Sequence, residues 1–155
     1  MRVALFILSL LFVSPASATV KISDMDPGGS VSTYINYWTR VGQSGEQVII
    51  DAPCMSACTF FLGLVPAKNV CMTPRASLGV HQVSSGDVPD PVFSAAFYRW
   101  IYPEWVQQWI KDHGGLQPDV MFMYPEDTKG HIPLCPGYEY DTVSPADLIH
   151  QEQPN

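Results

Sequence analysis

The chain has 155 residues and a formal net charge of −7, from 15 Asp and Glu against 8 Lys and Arg. That length suits one domain around a single core, and the acidic balance argues against nucleic acid or an anionic membrane surface as the main partner. Aromatic residues reach 12% while charged residues stay at 15%, so a folded chain is expected rather than a disordered one.

Residues 1–18 read as a secretory signal peptide outside the fold. Arg2 supplies a positive start, Val3 to Val13 is almost wholly apolar, and Ala16-Ser17-Ala18 is an A-x-A cleavage site that puts the mature start at Thr19. A retained membrane anchor is the rival reading, and the short apolar run disfavours it. The expectation is a periplasmic or secreted protein with no membrane attachment after cleavage. A single domain over 19–150 and a tail over 151–155 complete the organisation, with no internal repeat.

Val20 and Ile22 alternate with polar residues as a short strand running into an Asp26-Pro27-Gly28-Gly29 turn. Ser30 is placed to cap a helix whose apolar face is Val31, Tyr34, Ile35, Trp38 and Val41, ending at Gly42. Gln47 to Asp51 reads as a buried strand, and Ser56 to about Val65 as a core helix. Two further strands, Asn69 to Met72 and Leu78 to His81, flank a Thr73-Pro74-Arg75 turn. This β-α-β-α-β order predicts an α/β fold with a small, mostly parallel sheet and flanking helices. Ser84 to Pro91 is a Pro-rich loop. Phe93 to Lys111 is the longest helical stretch, and Pro103 inside it predicts a kink or two helices. Beyond Gly114-Gly115 prolines at 118, 125, 133, 136 and 145 weaken the pattern.

All four cysteines, Cys54, Cys58, Cys71 and Cys135, follow the signal peptide, so disulfides are expected. The favoured pairing is Cys54–Cys58, bracing the turn around Ser56, with Cys71–Cys135, tying the C-terminal region to the core. Zinc is the rival reading, weakened because a second pair of close ligands is missing. No metal and no cofactor are expected.

The chemistry concentrates in Cys54-Met55-Ser56-Ala57-Cys58. A serine between small residues just after an apolar strand stands where a strand turns into a helix, which exposes its hydroxyl beside the first free amides of that helix. Capping alone would explain a serine there. What raises Ser56 is its company: Gly28-Gly29 ahead of it can offer another amide, and His81 closes the Ser77-Leu78-Gly79-Val80 strand where a base would stand. Nucleophile, base and oxyanion donors are the parts an acyl-transfer site needs. The bland alternative for His81 is a half-buried imidazole bonded to backbone. His113, His131 and His150 lie in more polar contexts and are weaker candidates; His113 reads as a helix C-terminal cation.

The ordered set Pro27-Gly28-Gly29, Cys54-Met55-Ser56-Ala57-Cys58 and Thr73-Pro74-Arg75-Ala76 leading to Gly79-Val80-His81 resembles the ClpP/crotonase superfamily, most closely its exported branch related to the Clp protease proteolytic subunit. The resemblance covers about Val20 to Gln82 well and the remainder loosely. It implies Ser56 as nucleophile, His81 as general base, and the Gly29 and Ala57 amides as oxyanion hole. The chain departs from the family in one respect here: the family has further strands before the Gly-Gly turn, and the mature chain supplies only about ten residues there, so a smaller sheet with an edge exposed or covered by a partner chain is expected. The family's third triad member is an aspartate after the long helix; Asp127 is the candidate, with Glu126 and Asp119 as rivals and a plain surface turn as the bland reading.

Three functions compete. The first is an exported serine peptidase-like acyl hydrolase acting on a peptide or acyl substrate, with homo-oligomerisation an open question. The second is a catalytically inactive binding or assembly module on the same fold, motivated by Trp100, Tyr102, Trp105 and Trp109, although helical spacing favours core packing for that cluster. A crotonase-type acyl-CoA enzyme is third, disfavoured by export and by the lack of a phosphate-binding basic patch.

Overall fold

A computed structural model describes residues 18–140 apart from position 87; the signal-peptide reading over residues 1–17, His150 and the tail fall outside the described residues. Strands β1 (Thr19–Ile22), β2 (Gln47–Ile50) and β4 (Val70–Met72) form one all-parallel sheet in the order β1-β2-β4. A second sheet holds β3 (Pro53–Met55), β5 (Ser77–Val80) and β8 (Met121–Met123) in the order β3-β5-β8, with β3 and β5 parallel and β8 antiparallel. The expected α/β class with a mostly parallel sheet therefore holds. What differs is that the sheet divides in two.

The division has a local cause. Residues Asp51-Ala52 between β2 and β3, and Thr73 to Ala76 between β4 and β5, leave the ladder at the same level. Pro53 and Pro74 lack the N–H that continuous pairing needs. The Asp51 carboxylate pins this corner: it accepts from Thr73 Oγ1 at 2.7 Å, Arg75 Nε at 3.1 Å and Arg75 Nη2 at 2.5 Å, and pairs with Lys21 Nζ at 2.8 Å. Hydrogen bonds from Arg75 hold its carboxyl well below the usual carboxylate range, while burial opposes them.

Because the folded pKa is depressed, this stabilisation is complete above the unfolded carboxylate value of about 4 and is lost as pH falls below it. Asp51→Asn should cost about 1.5–3 kcal/mol near neutrality, the range for hydrogen bonds to a charged group. Urea melts should also show the wild type losing more stability than Asp51→Asn between about pH 5 and about pH 3. Parallel pH curves would refute the role given to Asp51.

Helix α1 (Val31–Ser44) crosses between β1 and β2 and buries Trp38 and Val41. Ser30 makes no side-chain cap bond; its hydroxyl meets Ser32 Oγ at 3.1 Å instead. The helix runs past the expected stop at Gly42, where a Cβ would lie 2.1 Å from the Leu64 carbonyl oxygen, and ends at Gly45. Gly42 is thus a contact point rather than a terminator. The expected core helix after β3 is instead a 3-10 segment (Ser56–Phe60) followed by one α turn, α2 (Phe61–Leu64). Thr59 Oγ1 donates to Ser56 O at 2.6 Å, and the Cys54–Cys58 disulfide closes a five-residue stretch, both of which tighten the winding.

The long helical stretch is two helices, α3 (Pro91–Ile101) and α4 (Glu104–Asp112), broken at Tyr102-Pro103. Asp90 caps α3 by accepting from Phe93 N at 2.8 Å. Residues expected as plain loop carry a small hairpin, β6 (Ser84–Ser85) with β7 (Val88–Pro89). Beyond β8 the chain returns to the first sheet, where Leu134 bridges to Met72 and Cys135 bonds to Cys71. Trp38, Ile50, Phe61, Met72, Leu78 and Met123 are fully buried between these layers. Among the described residues no helix is long and apolar enough to cross a membrane.

Candidate active site

Three chain segments pass side by side at one edge of the second sheet. Asp26 bridges to Cys54, with Asp26 N donating to Pro53 O at 2.9 Å and Met55 N donating to Asp26 O at 2.8 Å. On the other side Met55 pairs with Gly79. Continuing each segment past its last pair brings Gly28-Gly29, Ser56 and His81 to neighbouring positions, at the carboxyl ends of parallel strands where α/β sheets collect their ligands. All four residues line one cleft of about 390 Å³, together with Phe60, Val83, Ser84 and Tyr98.

Ser56 has φ +55, the one non-glycine residue in the left-handed region among the described residues. A serine held there carries a backbone cost that the surroundings must offset, and such positions cluster at functional sites. The Cys54–Cys58 disulfide brackets it, with Sγ–Sγ 2.00 Å; the second disulfide, Cys71–Cys135, has Sγ–Sγ 1.99 Å. Both expected pairings are present, and a cysteine in a disulfide is no thiolate ligand for zinc.

The glycine turn is held by Asp26, whose Oδ1 accepts from Gly28 N at 2.8 Å and from Tyr34 Oη at 2.6 Å. Burial first, then the hydrogen bond to Asp26, push the Tyr34 phenol up to about 12, so it stays a donor at neutral pH. Gly28 sits against the serine turn: a Cβ on it would meet Met55 O at 2.6 Å, Ser56 Cβ at 2.7 Å and Ala57 N at 2.8 Å. Ala57 is buried and does not itself line the cleft; Gly29 does.

His81 is half-buried and its backbone is fixed from α3. Tyr98 Oη donates to His81 O, and Ser94 Oγ accepts from Val83 N at 2.8 Å. Burial pushes the Tyr98 phenol up to about 12. Sequence reasoning missed Asp26, Tyr34, Ser94 and Tyr98 as supports. Only Asp26 left a trace, in the Asp-Pro-Gly-Gly string; the others are ordinary helix residues until α1 and α3 are placed.

The acid is placed elsewhere. Asp127 Oδ2 accepts from Tyr124 N at 2.8 Å, closing the Tyr124-Pro125-Glu126-Asp127 turn, and Oδ1 accepts from Trp109 Nε1 of α4 at 3.2 Å. Neither Asp127 nor its rivals Glu126 and Asp119 lines the cleft, and no carboxylate does among the described residues. His113 stacks on Trp109 and His131 on Trp105, with ring centroids 4.0 Å and 4.5 Å apart. Among the described residues no group of three or more His, Cys, Asp or Glu could hold a metal ion.

Fold and cleft together define an α/β chain with a serine and a histidine at the ends of paired parallel strands. Among solved structures it is similar to a mutant of ClpP1 from Listeria monocytogenes, 12% identical, with a TM-score of 0.44, covering 75% of this chain and 71% of that one. A likeness at that level carries no argument about chemistry. No family model matches the sequence, and no curated protein matches it.

Proposed function

We propose that this protein is an exported serine hydrolase acting on a peptide or acyl substrate. Ser56 is the nucleophile, His81 the general base, and the Gly29 and Ala57 amides stabilise the oxyanion. The observation that carries the reading is a left-handed serine sharing a cleft with a histidine and a glycine turn. In the reaction Ser56 Oγ bonds to the substrate carbonyl carbon while His81 accepts its proton. Collapse breaks the scissile bond, and His81 returns the proton to the leaving group. Water then releases the acyl half. With Asp127 committed to its own turn, the pair acts without an assigned acid, and oxyanion stabilisation carries a larger share. Export rests on the A-x-A leader and the two disulfides.

A second reading, a non-catalytic assembly module, is favoured by α3, whose Val92, Phe93 and Trp100 are 81%, 49% and 65% exposed. Of the four aromatics weighed from sequence, Tyr102 is buried and Trp105 and Trp109 are half-buried, leaving Trp100 exposed.

Turnover of p-nitrophenyl acetate separates the two. The hydrolase reading expects His81→Gln to lower kcat/KM by about 10²–10⁴, the range for losing a general base. Equal turnover in that variant would remove His81 from the mechanism. A folded wild type without turnover would favour the module.

A further inference from the structure

A larger cavity of about 660 Å³ adjoins the cleft, with Tyr98 lining both and Gln82 following His81 directly. Its walls are mainly apolar, from Ala95, Ile110 and Leu116. The wall segment is clamped in place: Gln82 Nε2 donates to Leu116 O at 2.9 Å and Gln82 N to Gln117 O at 2.8 Å. Two cations from different helices, Arg99 of α3 and Lys111 of α4, line this cavity, and no carboxylate does.

Both are exposed, in a chain with 15 acids and 8 bases. Lys21 and Arg75 are held by Asp51, whereas Arg99 and Lys111, like Arg40 and Lys68, have no ion pair among the described residues. Each stands in the last turn of its helix, where a cation is favoured by the helix dipole. The dipole does not explain why both line the same apolar cavity. Arg99 uses only Nε, donating to Ala95 O at 3.0 Å, so its two terminal nitrogens keep their donors for a carboxylate fork.

We infer that this cavity is the subsite for the carboxyl-terminal end of a peptide substrate. An apolar last side chain fills the body of the cavity, and Arg99 with Lys111 holds the α-carboxylate. The inference rests on the hydrolase reading for its chemistry: the segment in the cavity belongs to the leaving half. It departs as an amine carrying the proton returned by His81, while the other half stays as the Ser56 ester until water releases it.

Binding is measured by calorimetry on the full chain carrying Ser56→Ala, with N-acetyl-Ala-Ala-Phe-Leu as free acid and as C-terminal amide. The acid should bind about tenfold tighter, as expected for charge-assisted bonds, and salt should erode the difference. Adding Arg99→Gln with Lys111→Gln should equalise the two peptides, whereas Lys68→Gln, on an exposed turn, should keep the preference. Equal binding in the Ser56→Ala parent, or a preference that survives the double substitution, overturns the inference. The parent comparison decides even where the double variant fails to fold. Binding of decanoate but of neither peptide also overturns it, assigning the cavity to a fatty acid. These outcomes leave the hydrolase reading intact. Acid preference beside a wild type without turnover would keep the subsite and remove the hydrolase.

Discussion

Gly28→Ala should disable the protein twice, in stability and in turnover. The residue has φ +80, and an added Cβ would lie 2.6–2.8 Å from Met55 O, Ser56 Cβ and Ala57 N. The left-handed backbone costs a non-glycine residue about 1–2 kcal/mol. The contacts add to that because Met55 O and Ala57 N are main-chain atoms that yield only by moving the Ser56 turn. The total should be about 3 kcal/mol or more, in the range of core overpacking. The same displacement would separate the Gly29 and Ala57 amides from the carbonyl that Ser56 is proposed to attack. Losing one oxyanion donor alone costs about 10²–10³ in kcat, so turnover of p-nitrophenyl acetate should fall by at least about a hundredfold in whatever protein folds.

Gly45→Ala supplies the comparison. Gly45 ends α1 at φ +74 with nothing within 4 Å of an added Cβ. It should lose about 1 kcal/mol and keep its turnover. Urea melts and steady-state rates on both variants check the pair. If Gly28→Ala behaved like Gly45→Ala, the glycine turn would not be part of the site.

Much of this arrangement was legible in the chain, for reasons that can be traced. Periodicity found α1 because Trp38 and Val41 face the core while Thr33, Asn36 and Arg40 face water. It found the three principal strands because Val48, Ile50, Val70, Met72, Leu78 and Val80 are buried. It overlooked β3, which opens on Pro53 and runs straight into the Ser56 turn, and β8, three residues set between Pro118 and Pro125. It gave an α-helix after Ser56 where the chain winds as 3-10. Apolar content reports burial, whereas the winding is set by the disulfide and by Thr59 Oγ1. The division of the sheet hinges on Asp51, Thr73, Arg75 and Lys21, which meet only once the strands are paired.

The candidate site shows the same limit. Ser56, His81 and the glycine turn were readable because each closes or opens an element, and the β3–β5 register brings such ends together. Asp127 rested on its position after the long helix, and Pro-Glu-Asp-Thr is equally ordinary turn chemistry. In the structure its carboxylate accepts from Tyr124 N in its own turn and from Trp109 Nε1 of α4. The supports Tyr34 and Tyr98 had no signature at all, since a tyrosine on a helix face reads as packing until its hydroxyl has a partner.

Removal of the Ser56 hydroxyl should have the largest effect on activity. Ser56 is the nucleophile proposed on this cleft, and losing one in a serine hydrolase costs on the order of 10⁶ in kcat. Background hydrolysis can hide such losses, so covalent capture is the sharper measurement. A fluorophosphonate probe loses fluoride as Ser Oγ bonds to phosphorus, and it reacts only with a serine activated for attack. Incubation of the folded protein, followed by intact-mass and peptide mapping, should give a single adduct on Ser56 and none in Ser56→Ala. An unreactive folded wild type, or an adduct that persists in Ser56→Ala, would contradict the assignment of this cleft as a serine hydrolase site.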